Sequence, residues 1–479
     1  MTRRGDRSQP EHDADNARGS VTARFALLCI GVWLHSADTL VTATIAPAIV
    51  DDLGGVAYIN WTISLYEVGA IIAGAAAAVM CRRWGIKRVF VGAALLYGGG
   101  CGIAAAALDI AVLISGRLMQ GMGGGMMLTL CYVAIEAWFV PTLRGRMFAI
   151  VAVVWGAGSL LGPLIGGIFA DRHSWRGAFW AFAVQALVVA GLTLFLVPPM
   201  AMASAKQFAR GLPVLPLAVL SAATLVIAES GALSDISSGG AAVAISGCLL
   251  GTSLLYLAAR LDRHAQVRLL PAQLLEFGHP VGAGLAMVFA LSVATTGFWA
   301  YGPLIVKILF GTKPLVTGYI LAGEAIAWSI ATLAVSSMTA AAEPGLIRCG
   351  ALGVAVGAAG FAIAVPTGSL AGMVVCGLFQ GTGFGLCWPA IVERTVRFAD
   401  TAERSLASAA VSTVQRIGYA IGTAAAGIAA NLSGLAEGVS AAGARAAGFW
   451  VFAAFVPVLA IGLVSAWRFT RAGLSSEPP

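Results

Sequence analysis

Charge is what this sequence has least of. Of its 479 residues only 11% are Asp, Glu, Lys or Arg, where a water-soluble domain carries roughly a quarter. A soluble enzyme is therefore excluded first. Paired cysteines are missing too. Cys29, Cys81, Cys101, Cys131, Cys248, Cys349, Cys376 and Cys387 stand singly, mostly in apolar runs, and no CxxC occurs. That pattern suggests neither a disulfide framework nor a zinc site, and small apolar packing residues are the better reading. There is no GxxxxGK[ST] loop, which argues against an ATP-driven pump. HExxH and GxSxG are absent as well, and the stretches between apolar runs are too short for a catalytic domain. No enzyme activity, metal or organic cofactor is expected.

Apolar length is what the chain has in quantity, at 59% hydrophobic residues. Apolar runs fall at about 25–48, 57–80, 89–108, 110–137, 147–170, 177–198, 211–231, 239–259, 281–309, 314–338, 346–366, 369–392, 405–430 and 447–467. Each is long enough to cross a bilayer as a helix, which takes about 20 residues. An outer-membrane barrel is excluded, because its strands alternate over only about 10 residues. The class is an all-α polytopic membrane protein with 14 transmembrane helices. The 60 glycines suit close helix packing in lipid.

The cations give the orientation. With the N-terminus inside, Arg172, Arg176, Lys307, Lys313 and Arg445 fall outside, Arg117 and Arg416 fall within spans, and the other 22 of 29 lie on the inner side. Both termini are expected to be cytoplasmic, in the inner membrane. The net charge of +7 is then topogenic, and no nucleic-acid partner is needed.

A repeat runs through the chain. Leu118-Met119-Gln120-Gly121-Met122-Gly123-Gly124-Gly125 matches Leu378-Phe379-Gln380-Gly381-Thr382-Gly383-Phe384-Gly385 at an offset of 260. Gly158-Ser159-Leu160-Leu161-Gly162 matches Gly418-Tyr419-Ala420-Ile421-Gly422 at the same offset. Five regions follow: a disordered cytoplasmic tail at 1–24, a six-helix bundle at 25–200, an inserted helix pair at 201–262, a second six-helix bundle at 263–472, and a cytoplasmic tail at 473–479. Parallel six-helix repeats are a transporter architecture, with substrate held near the midplane between them.

Ionisable groups at mid-depth are functional candidates, because burying charge in hydrocarbon is costly. At 1.5 Å per residue, Asp38, Arg117, Glu67 and Glu324 all lie about 12–15 Å from an outer helix end, in the middle third of a ~30 Å core. Asp38 is the strongest candidate for a group that loads and releases a proton. Arg117, at matching depth, can pair with it. The alternative is a static ion pair holding spans 1 and 4 together. His35, one turn before Asp38, can relay protons or simply pack. Glu67 and Glu324, near-equivalents in the two halves, can bind a substrate cation or a second proton, or sit as protonated carboxyls between helices. Arg416 can bind an anionic group or neutralise Glu324.

These residues stand within recognisable motifs. Asp38 is followed nine positions later by Pro47 in span 1. Arg117-Leu118-Met119-Gln120-Gly121 reads RxxQG in span 4. Gly158, Gly162, Pro163, Gly166 and Gly167 make GxxxGPxxGG in span 5, and Trp175-Arg176-Gly177-Ala178-Phe179-Trp180 opens span 6. Over most of 25–470 the chain resembles the major facilitator superfamily, and within it the fourteen-helix drug:proton antiporters. The resemblance implies a cytoplasmic gating loop between spans 2 and 3 of the form GxxxDRxGRR. Arg83, Gly85 and Lys87 fit it, but Arg82 stands where the family has its acid and Ala78 where it has the first Gly. In the family that acid helps latch the cytoplasmic gate, so another pairing is expected here.

The function expected is export of hydrophobic organic compounds, cations among them, in exchange for protons drawn from the membrane gradient. The expected partners are a small-molecule substrate, protons and the lipid bilayer, for a monomer. Two other readings are an exporter of one metabolite, siderophore or lipid, and a receptor on a transporter scaffold that moves nothing.

Overall fold

The computed structural model describes residues 9–53, 61–172, 174–197, 213–233, 240–311, 314–433 and 441–471. They form α1 (Gln9–Leu53), α2 (Trp61–Trp84), α3 (Ile86–Ala105), α4 (Ile110–Trp138), α5 (Pro141–Asp171), α6 (Trp175–Leu196), α7 (Val214–Leu233) and α8 (Gly240–Arg263). The chain continues through α9 (Pro280–Phe310), α10 (Pro314–Val335), α11 (Glu343–Ala364), α12 (Leu370–Phe398), α13 (Arg404–Leu432), α14 (Ala441–Ala453) and α15 (Val456–Arg471). Eleven stretches among the described residues are long and apolar enough to cross a membrane, and α7 and α10 hold shorter apolar windows. In α13, Arg416, Ser408, Ser412 and Thr413 are all buried, so this polar helix turns its polar groups inward.

Local chemistry sets many boundaries. Asp109 caps α4 by accepting from the Val112 amide at 2.9 Å, and Ser369 caps α12 through the Gly372 amide at 3.0 Å. Such caps satisfy amides that the first helical turn leaves open. Pro141 stands in the first turn of α5, where a missing N–H costs nothing. Gly85 divides α2 from α3 at φ 79°, a left-handed conformation that side chains disfavour.

Two boundaries differ from the sequence reading. Residues 9–24, expected as a disordered tail, continue α1 as helix. Pro10, Asp13, Asn16, Gly19 and Thr22 there are poor helix formers, so the extension follows from being appended to an existing helix, which requires no new nucleation. The last apolar run is interrupted between α14 and α15. Pro457 lies just past the break; it lacks an N–H and its ring would clash with the carbonyl of Ala453. The expected tail at 473–479 and part of the 201–262 region lie outside the described residues.

Among the first six helices, α1 packs on α4, α5 and α6, while α2 and α3 pack on α4. In the later part, α9 packs on α13 and α15, and α10 and α11 pack on α12. The two groups meet where α2 touches α13 and α5 touches α10, and the pair α7–α8 lies against α2 and α13. Glycine permits the closest approaches. A Cβ at Gly121 would collide with the Tyr66 backbone carbonyl, and one at Gly381 with the Glu324 carbonyl. Apolar side chains such as Leu187, Val188, Phe195, Leu249 and Leu250 are exposed on the outside, as a bilayer-facing surface requires.

Candidate functional site

The site begins with an ion pair inside the helix bundle. Asp38 of α1 and Arg117 of α4 meet at 2.6 Å, with side-chain exposures of 0% and 1%. Further donors of Arg117 are also used. Its Nε donates to the Thr62 carbonyl and an Nη donates to Gln120 Oε1, both at 3.0 Å. Its guanidinium lies over the Tyr66 ring, 4.3 Å from the centroid. Gln120 in turn donates to Cys101 Sγ at 2.9 Å. The Thr42 hydroxyl reaches the other Asp38 oxygen at 3.5 Å. A buried charge pair is tolerable only when its spare donors and acceptors are satisfied in this way.

From Tyr66 the polar contacts continue toward the second helix group. The Tyr66 hydroxyl lies 2.6 Å from His35 Nδ1, and His35 Nε2 is paired with Arg416 of α13. An arginine can only donate, so Nε2 accepts and Nδ1 carries the hydrogen toward Tyr66. The Tyr66 hydroxyl then donates to the His35 carbonyl, at 3.4 Å. Arg416 also donates to Glu67 Oε2 at 2.7 Å. One chain of contacts therefore runs Asp38, Arg117, Tyr66, His35, Arg416, Glu67. It gathers five of the sequence candidates and crosses from α4 and α1 to α13.

The sixth candidate, Glu324, lies apart. It is 3% exposed and accepts from Gln380 Nε2 at 2.7 Å, while among the described residues Glu324 Oε2 and Gln380 Oε1 have no hydrogen-bond partner. Arg416 pairs with Glu67 rather than neutralising Glu324. The repeat is also one residue out of the expected register here. Gly121 rests on the backbone of Tyr66 and Gly381 on that of Glu324. Glu324 is thus the counterpart of Tyr66, and Glu67 corresponds to Ala325. One residue turns a helical side chain by about 100°, so Glu67 and Glu324 point differently within their halves.

Residues 28–423 match the Major Facilitator Superfamily. The chain belongs to this superfamily. It is 28% identical over 460 residues to a probable multidrug-efflux transporter of Mycobacterium tuberculosis, covering 93% of this chain and 94% of that one. It is 22% identical over 312 residues to a multidrug efflux pump of Staphylococcus aureus, covering 64% and 67%. Among solved structures it resembles a proton:xylose symporter, with a TM-score of 0.63, 16% identity and coverage of 94% and 95%. This major facilitator protein is therefore a multi-pass membrane transporter and not an enzyme.

The superfamily motifs fall around the ion pair. In α5, a Cβ on Gly158 would meet Ser36 and Ala37, one on Gly162 would meet Leu40, and one on Gly166 would meet Thr44. Three motif glycines thus press α5 onto the part of α1 that carries Asp38. Gly167 faces open space. Pro163 lies within α5, and its side chain is outside the described ones. At the end of α2, Arg83 is exposed and stacks on Trp84 at 5.4 Å, while Lys87 is half-buried at the start of α3. Arg82, beside them, is buried. On the far side, Arg176 and the Trp175 indole both donate to Asp52 and hold its carboxyl below the usual carboxylate range.

Sequence reasoning did not assign Tyr66, although it links the two arginines. Its position, one residue before Glu67, gave no signal. Its contacts with Arg117, His35 and Gly121 fix which face of α2 it occupies.

Proposed function

We propose that this transporter is a drug:proton antiporter of the fourteen-helix type, exporting hydrophobic organic compounds that include cations. The carrying observation is the buried Asp38–Arg117 pair and its continuation through Tyr66 and His35 to Arg416. A carboxylate that loses its arginine partner gains proton affinity. A helix movement that separates the two would therefore load a proton, and their reunion would expel it. A group whose proton affinity differs between two conformations is what coupling requires.

The architecture in this proposal is two six-helix bundles, 25–200 and 263–472, with the helix pair of 201–262 between them. The packing of α1 to α6 and of α9 to α15 supports it. The protein would work as a monomer in the inner membrane with both termini cytoplasmic, driven by the proton gradient and without a cofactor. Relatives named as multidrug efflux proteins support the direction of transport.

Glu324 is proposed as the substrate's acidic contact. Its free Oε2 and the free oxygen of Gln380 make an acceptor pair suited to a protonated amine. In energised inverted vesicles, wild-type uptake of a fluorescent lipophilic cation should fall when a protonophore is added, and unrelated lipophilic cations should compete. Glu324→Gln should weaken competition by cations about tenfold, the scale of one charge-assisted contact, and leave uncharged competitors unaffected. Competition by a single compound class would instead indicate a dedicated exporter.

A further inference from the structure

Where the family carries an acid at the end of its second helix, this chain carries Arg82, and an acid stands on the other side of the seam. Glu403 immediately precedes α13 and is 5% exposed; Arg82, in the last turn of α2, is 6% exposed. The two helices pack together, and the Glu67–Arg416 pair fixes their register at mid-depth. Arg82 lies about 22 Å along α2 from Glu67, and Glu403 about 20 Å back along α13 from Arg416, at 1.5 Å per residue. Antiparallel neighbours in that register bring the two to one level, where the Glu403 carboxylate attracts Arg82 and the Arg268 guanidinium opposes it more weakly.

Glu403 is held rigidly on its own side. Arg268 forms an ion pair with it, and the Ala272 amide donates to its Oε2 at 3.1 Å. The same connecting segment is tied down by Asp262, which accepts from the Leu269 and Leu270 amides at 2.7 and 2.9 Å. A fixed carboxylate there also suits the positive end of the α13 dipole. An acid at position 82 would face Glu403 and repel it; an arginine is attracted.

We infer that Arg82 and Glu403 form a charge-inverted latch across the α2–α13 seam, holding this end of the transporter closed. With Glu67–Arg416 it makes a two-point clasp whose acid changes helix between the points. The latch rests on the part of the proposed function in which the helices move between two conformations, and not on proton coupling or substrate class.

The test measures the distance between spin labels on Leu143, in the first turn of α5, and Met338, just beyond the end of α10, both exposed. The full chain is used, with Cys248, Cys349 and Cys376 replaced by Ala. No substrate or gradient is needed, so failure here is distinguishable from failure of the antiport reading. Arg82→Glu should raise the separated population about tenfold, within the usual range of coupling energies. Arg82→Gln should raise it a few-fold in an otherwise unaltered chain, yet add nothing in the presence of Glu403→Gln, because interacting partners are non-additive. An unchanged distribution in Arg82→Glu would overturn the latch. So would an equal effect of Arg82→Gln with and without Glu403→Gln, and this neutral cycle stands even if Arg82→Glu does not fold.

Discussion

Asp38→Asn should abolish gradient-driven export, lowering it about 100-fold, in line with a coupling energy near the upper end of those measured. The protein should fold with reduced stability: the one asparagine oxygen can still accept from Arg117 while its amide donates to the Thr42 hydroxyl, but the buried guanidinium loses its counter-charge. Arg117→Leu should behave differently. It leaves the Asp38 carboxylate, which is 0% exposed, without its cation, and breaking one side of a buried pair costs ~3–5 kcal/mol. It also strips the donors from the Thr62 carbonyl and Gln120. The double variant Asp38→Asn with Arg117→Leu should lose less stability than the sum of the two, while transport stays absent. Thermal unfolding in detergent and vesicle export assays separate the two effects. Recovery of export in the double variant would mean that the pair is a static brace and the proton is carried elsewhere.

The second large effect concerns packing. Gly121→Val should prevent assembly of α4 against α2, because its Cβ would overlap the Tyr66 carbonyl. Overpacking against a side chain costs roughly 1–3 kcal/mol, and a backbone carbonyl has less freedom to move, so a loss at or beyond the top of that range is expected. Gly381→Val should do the same at Glu324. Gly191→Val is the control, since nothing among the described residues lies within 4 Å of a Cβ there; a surface change of this kind shifts stability by about 0.5 kcal/mol or less. The readout is folded yield and unfolding temperature. A Gly121→Val protein as stable as Gly191→Val would contradict the described approach of α2 to α4.

Much of this was legible in the sequence, for physical reasons that can be named. Hydrocarbon demands long apolar runs, so helices could be read from composition. It penalises buried charge, so Asp38, Arg117, Glu67, Glu324 and Arg416 stood out by depth alone. What failed was register. The repeat offset is 260 in spans 4 and 5, whereas the glycine contacts of span 2 and its counterpart give 258. Glu67 and Glu324, 257 apart, read as near-equivalents, whereas Tyr66 is the residue facing Gly121 as Glu324 faces Gly381. The partner of Arg416 was open for the same reason: Glu67 and His35 come to it from α2 and α1, and no spacing along the chain encodes a contact between helices that far apart. The break before Pro457 was missed because the apolar run continues through it. Apolarity reports burial in lipid, whereas the hydrogen-bond ladder responds to the missing amide.

The arrangement also gives Arg416 a double duty. It holds His35 on one side and Glu67 on the other, so movement of α13 away from α2 would release both at once. His35, which meets the Tyr66 hydroxyl at 2.6 Å through its other ring nitrogen, would then lose the donor that fixes its tautomer. This is a physical route by which the position of the second helix group can alter the surroundings of Asp38.

The most direct test of that account is proton movement in proteoliposomes containing the wild-type protein and a trapped pH-sensitive dye, with an imposed pH gradient. Adding a lipophilic cation should trigger proton flux opposite in direction to the cation, and Asp38→Asn vesicles should show none. Cation transport by the wild type with no accompanying proton flux, or substrate-triggered flux that persists unchanged in Asp38→Asn, would contradict it.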